Sequence, residues 1–218
     1  MPHPRKDRLF PIADEGFIFI LPLAFVSFLF YVALGWHNSA YMLFGLTAFS
    51  VYFFRDPERE IAPDPELILS PADGKVVRVQ EGEKEGEPHW RVSIFLSIFN
   101  VHINRSPIEG EVTNISYREG EFKAAFDHDS SEINEQNSVT VENDTIRITF
   151  VQIAGLIARR IVCWVKPHDR LEAGERYGLI RFGSRMDIFL PRDKVQLKIK
   201  KGDRVRGGLS ALGKVIKP

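Results

Sequence analysis

A mainly β domain of the sandwich or barrel kind, preceded by a membrane-associated helical hairpin, is the fold class that this 218-residue sequence predicts. Three observations predict it. Residues 17–54 contain no Asp, Glu, Lys or Arg, yet hold 13 of the 25 aromatics. From Leu67 onward, short apolar or alternating runs stand between Gly, Pro and Asn/Asp turns. One turn pattern, apolar-x-x-Gly-acid-Arg-apolar, occurs at Leu171–Tyr177 and again at Ile199–Val205. The length suits one core-bearing domain with an appendage.

The appendage comes first, over residues 1–54. Its apolar runs are Phe17–Leu34 and Ala40–Phe54, separated by the helix-breaking Gly35-Trp36-His37-Asn38-Ser39. As helices they reach roughly 27 and 23 Å, against a hydrocarbon core of about 30 Å. A signal peptide would have a single shorter run and a cleavage site. A buried soluble hairpin would carry a polar stripe. Arg5, Lys6 and Arg8 precede the runs, Arg55 and Arg59 follow them, and the turn between has no Lys or Arg. The positive-inside rule therefore puts both ends on the cytoplasmic face of the cell membrane. Insertion and full spanning fit the two runs equally.

Residues 55–218 form the β-rich domain. Expected strands are 75–80, 92–99, 111–117, 139–142, 145–152, 160–165, 177–182, 186–190 and 195–199, with Asn143-Asp144 as a hairpin turn. Glu81–Pro88 reads as a charged surface loop, and Glu119–Phe126 as at most a short helix. The repeated turn suits a lipoyl-type carrier barrel, but no Lys stands in that family's Met-Lys-Met context.

Lys+Arg and Asp+Glu are 29 each, which argues against a nucleic-acid partner. The single Cys163, in an apolar run, excludes an internal disulfide and reads as structural. No metal-ligand spacing or dinucleotide fingerprint is present. Three segments can carry chemistry. Ser70-Pro71-Ala72-Asp73-Gly74-Lys75 by itself is an ordinary β-turn. Phe95 to Pro107 runs from an apolar strand into His102, Asn104 and Arg105. Leu179 to Pro191 contains Gly183-Ser184 between two β runs, either as a β-bulge or as a bond open to attack by the Ser184 hydroxyl. Such attack needs a base and an orienter for it. His102 and Asp73 are the candidates, with Asp187 the nearest alternative base.

Together, Pro71-Ala72-Asp73-Gly74, Asn100-Val101-His102-Ile103-Asn104-Arg105-Ser106-Pro107 and Arg181-Phe182-Gly183-Ser184-Arg185 resemble the phosphatidylserine decarboxylase proenzymes, in their short bacterial and archaeal branch. The resemblance covers essentially the whole chain, hairpin included. It implies autocatalytic cleavage between Gly183 and Ser184. The products would be a β chain 1–183 and an α chain 184–218, joined as a heterodimer, with higher assembly left open. Ser184 would become a pyruvoyl cofactor that forms a Schiff base with the substrate amine. Phosphatidylserine would give phosphatidylethanolamine and CO₂. His102 would supply the proton, Asp73 would orient its imidazole, and Arg181, Arg185 or Arg105 would meet the phosphodiester. Two positions depart from the family pattern. Phe182 stands where Leu or Val is common, and Arg105 stands where longer members carry a second His. One imidazole then serves both stages, or another group fills one role. A decarboxylase for a related headgroup and a non-catalytic membrane-anchored carrier-like domain are the rival readings.

Overall fold

The structure is a computed structural model. It describes residues 11–62, 64–120, 134–155, 160–181 and 184–216. The chain divides into two compact units, one ending at Glu58 and one beginning at Arg59.

The first unit is a pair of helices, α1 (Asp14–Val32) and α2 (His37–Phe53). The first starts three residues before the uncharged run, because Asp14 and Glu15 suit the amide-rich end of a helix. Gly35, at φ +64°, sits in the turn between them. The buried positions of α1, Gly16, Ile20 and Ser27, make a narrow stripe. Ser27 Oγ lies 3.5 Å from Thr47 Oγ1 of α2. Elsewhere large apolar groups face outward: Ile18, Leu21, Phe25 and Phe28 are 60–69% exposed. Among the described residues, α1 is the one helix long and apolar enough to cross a membrane. So apolar an exterior on an N-terminal helix supports membrane association.

The second unit is mainly β. Its strands are β1 (Leu67–Leu69), β2 (Gly74–Lys84), β3 (Glu87–Leu96), β4 (Ile103–Arg105), β5 (Gly110–Arg118), β6 (Gln136–Glu142) and β7 (Arg147–Ile153), followed by β8 (Ile161–Cys163), β9 (Arg170–Leu171), β10 (Arg176–Ile180), β11 (Ser184–Pro191), β12 (Val195–Leu197), β13 (Arg204–Val205) and β14 (Ala211–Val215). Eight form one curled antiparallel sheet in the order β13-β2-β3-β11-β7-β6-β5-β9. Two three-stranded sheets, β1-β14-β12 and β4-β10-β8, complete the unit. The core is a continuous set of hydrophobic side chains from Ile68 to Val215, including Ile94, Leu96, Ile148, Phe150, Met186 and Ile188.

The charged loop expected over residues 81–88 is instead a hairpin. Lys84 pairs with Glu87, and Glu85 and Gly86 turn with φ +56° and +82°. Two residues at positive φ match the right-handed twist of the strands, which explains why the ladder continues through a polar sequence. The expected strand 92–99 correspondingly stops at Leu96. The Asn143 turn is present: Asn143 Oδ1 accepts from the amides of Thr145 and Ile146, both at 3.0 Å. The possible short helix at 119–126 lies largely outside the described residues.

The repeated turn occurs three times. Asp203 accepts from the Lys200 amide and Glu175 from the Glu172 amide, with Gly202 and Gly174 at positive φ. Asp169 accepts from the Lys166 amide in the same way, with His168 at φ +73° in the glycine position.

Candidate active site

The segment containing residues 181–183 joins two different sheets. Strand β10 pairs with β4 and β8, whereas β11 pairs with β3 and β7. A β-bulge would keep both runs in one ladder, so that reading of Gly183-Ser184 does not hold. Gly183 itself lies outside the described residues. Its flanks are fixed from one neighbouring segment. Ile180 N–H donates to the His102 carbonyl at 3.3 Å, and Ser184 stands opposite Leu96.

Ser184 is fully buried, on the face of β11 shared by Met186, Ile188 and Leu190. Its Oγ has no hydrogen-bond partner among the described residues. A sealed, unpaired hydroxyl costs about 1–3 kcal/mol, so a structural role explains it poorly.

His102 is 2% exposed and follows a tight turn. Asn100 N–H donates to the Ser97 carbonyl at 2.9 Å. Asn100 Oδ1 in return accepts from the Ser97 amide at 2.9 Å and hydroxyl at 2.8 Å. The imidazole Nδ1 lies 3.0 Å from the Asn100 carbonyl. A carbonyl can only accept, so Nδ1 carries the proton and Nε2 the lone pair in the neutral ring.

The expected hydrogen bond from Asp73 to His102 is not formed. Asp73 accepts from Arg59 Nη1 at 2.6 Å and Nη2 at 2.9 Å, and from the Gly207 amide at 2.8 Å. Arg59 Nη1 also donates to the Gly207 carbonyl. A bidentate guanidinium and a backbone amide occupy the carboxylate, while the acceptor at His102 is a main-chain carbonyl three residues into the same loop. Gly74 next to it is obligatory, because a Cβ there would run into the Phe95 carbonyl of β3. From sequence alone Arg59 is only a cation flanking the apolar runs. Its charge and the charge on Asp73 were the available signal.

The three arginines differ. Arg105 is buried, and its Nη1 donates to the Gly174 carbonyl at 2.9 Å. Arg185 is buried on the face of β11 opposite Ser184, with Nε 2.9 Å from Asp187 Oδ1. Arg91 meets Asp187 Oδ2 at 2.6 Å. Asp187, three positions from Ser184, therefore projects from the other face of the strand and is neutralised there, which removes it as the alternative base. Arg78 adds a third guanidinium nearby, and burial followed by the charges of Arg185 and Arg91 pushes its pKa down. Arg181 is half-buried.

No motif announces the buried amide chain that reaches β4. Asn137 Nδ2 donates to Gln152 Oε1 at 3.0 Å, and Gln152 Nε2 donates to Asn104 Oδ1 at 2.9 Å. Asn104 lies in β4, which begins directly after His102. Cys163 is half-buried, and burial pushes its thiol pKa up, away from nucleophile chemistry.

A family model described as phosphatidylserine decarboxylase matches residues 46–213. Similar proteins include a phosphatidylserine decarboxylase proenzyme of Desulfotalea psychrophila, 45% identical over 94% of this chain and 97% of the relative. Those of Carboxydothermus hydrogenoformans and Syntrophus aciditrophicus are 43% and 44% identical, over 92% and 93% of this chain and 95% and 96% of theirs.

Proposed function

The chain belongs to the phosphatidylserine decarboxylase family, and we propose that it cleaves itself before Ser184 and then converts phosphatidylserine to phosphatidylethanolamine and CO₂. The observation that carries this is the buried hydroxyl of Ser184, without a hydrogen-bond partner among the described residues, at the crossing between two sheets. It supports both the cleavage and the residue from which a pyruvoyl group would form.

In maturation, the Ser184 hydroxyl attacks the carbonyl carbon of residue 183 and its proton passes to His102 Nε2. The C–N bond breaks, leaving an ester on Oγ and a free amine at Ser184. Removal of the Cα proton then expels the residue-183 carboxylate from Cβ. The resulting dehydroalanine takes up water and releases ammonia, leaving a ketone at the new N-terminus. His102 is suited to these transfers because the Asn100 carbonyl holds its tautomer.

A pyruvoyl group supplies an electron sink for loss of carboxylate from an amino-acid headgroup. His102 then returns a proton to the substrate Cα. Arg181 is our choice for the phosphodiester, since Arg105 and Arg185 are sealed on interior partners. Asp73 is a positioning residue. With Arg59 it fixes the turn whose Pro71 carbonyl accepts from the Arg105 amide at 2.9 Å, at the end of the strand that follows His102. The helical pair would hold the domain at the cytoplasmic face, and the two cleaved chains would remain one heterodimer.

The test is CO₂ release from phosphatidylserine vesicles. Wild-type protein should release it, and Ser184→Ala should release none. Equal activity of the two proteins would overturn the proposal.

A further inference from the structure

One end of the eight-stranded sheet presents an apolar tip beside exposed cations. Register traces a single row across seven strands at that end. Arg204 pairs with Lys75, Lys75 with Phe95, and Phe95 with Arg185. Arg185 pairs with Ile153, Ile153 with Gln136, and Gln136 with Arg118. Ser184 lies just beyond this row, so the cleavage site is at the rim of the sheet and not in its middle.

The segment projecting past the row from β3 is Ser97-Ile98-Phe99-Asn100. Its tip is apolar and outward: Ile98 is 36% exposed and Phe99 62%. The turn is held by the bonds between Ser97 and Asn100, so the tip has a defined place. That place is functional, because Asn100 also holds the imidazole of His102. Exposed cations, Lys75 and Arg204, stand on the flank of the row next to β3, whereas on the far flank Arg118 is followed by exposed Glu119, and Tyr117 donates to Glu135 Oε1 at 3.0 Å. An apolar tip beside Lys75 and Arg204 matches an anionic bilayer surface, where the ring enters the headgroup layer and the cations meet phosphate and carboxylate.

We infer that Ile98 and Phe99 insert into the phospholipid surface and bring the Ser184–His102 rim against the headgroups. The inference rests on the proposed activity, because it gives that site its route to a lipid. The partner is an anionic bilayer. With the rim at the headgroups, a substrate reaches the site without exposing its acyl chains to water.

Two experiments test it, both on the full chain. In the first, Phe99→Cys in a Cys163→Ser background carries an environment-sensitive fluorophore. The protein is reconstituted in phosphatidylserine-containing vesicles with brominated acyl chains. Asp144→Cys, in the β6–β7 turn at the opposite end of the sheet, is the control. Quenching should be strong at position 99 and weak at 144; equal quenching overturns the inference. In the second, the double variant Ile98→Ser/Phe99→Ser should mature normally and turn over monomeric short-chain phosphatidylserine within about twofold of wild type. On vesicles its kcat/KM should fall about tenfold or more, as expected for losing two buried apolar anchors. Parallel loss on both substrates, or loss on neither, overturns it. Wild-type protein inert on both substrates would sink the proposed activity instead, and the quenching result alone would then decide the lipid contact.

Discussion

Ser184, the first residue of β11, stands directly opposite Leu96, the last residue of β3. From Leu96 the chain makes one tight turn and reaches His102, whose carbonyl in turn accepts from Ile180. In the proposed mechanism the nucleophile and its base therefore belong to two segments joined by backbone pairing, through Leu96 on one side and the His102 carbonyl on the other.

His102→Ala should accumulate uncleaved chain that still unfolds cooperatively, since the proposed base is lost while the strand pairings around it remain. Ser184→Ala should also stay whole. It should melt at or above the wild-type proenzyme's temperature, because the substitution removes an unpaired buried hydroxyl. Thermal scans with intact-mass measurement check both. A Ser184→Ala variant several degrees less stable would contradict the reading of that hydroxyl.

Arg59 and Asp73 should behave as a unit. Their side chains are 7% and 12% exposed, and removing one leaves the other buried and uncompensated, at a cost of about 3–5 kcal/mol. Arg59→Met and Asp73→Asn should each lower stability, and the double variant should lose much less than the sum. The same pair sets where the helices can be removed. A protein starting at Arg59 should fold, whereas one starting at Glu60 should be markedly less stable by urea titration. Additive losses would show that the pair is not coupled.

How much of this was legible in the sequence depends on the range of each interaction. The hairpin and the strands of the β domain rest on local periodicity, and Ser184 and His102 lie in short motifs. The 81–88 hairpin was hidden because a two-residue turn at Glu85-Gly86 needs φ, not apolar residues, and its strands are polar. The third repeated turn was hidden because His168 takes the glycine position. The partner of Asp73 was hidden because the pairing is tertiary: Arg59 lies beyond three prolines, and Gly207 is 134 positions away. The strand alternation that excludes Asp187 could have been read in advance, since residues three apart on a strand point to opposite faces.

Cys163 gives a pH-dependent check. Burial raises its thiol pKa, so the folded state prefers the protonated form. That contribution to stability is complete below the unfolded thiol's pKa and is lost as pH rises through the folded value. Alkylation of the native protein should therefore begin at higher pH than alkylation of the urea-unfolded chain. Coincident pH–rate profiles would contradict the burial effect.

The cleaved small chain should not dissociate. Its first strand, β11, is paired on both sides, with β3 and β7, while β13 and β14 pair with β2 and β1. Matured protein should elute as one species under native conditions and separate into two chains only on denaturation. Release of the small chain in native buffer would show that these pairings do not survive the cut.

The central claim is that Ser184 is the residue converted. Denaturing intact-mass measurement of the matured protein tests it most directly. The account predicts two chains, residues 1–183 and 184–218, with the smaller one lighter by one ammonia than a peptide beginning with serine. Their masses should sum to that of the full chain plus one water and minus one ammonia. A single full-length mass from decarboxylating protein, or a small chain that keeps its N-terminal serine, would contradict it.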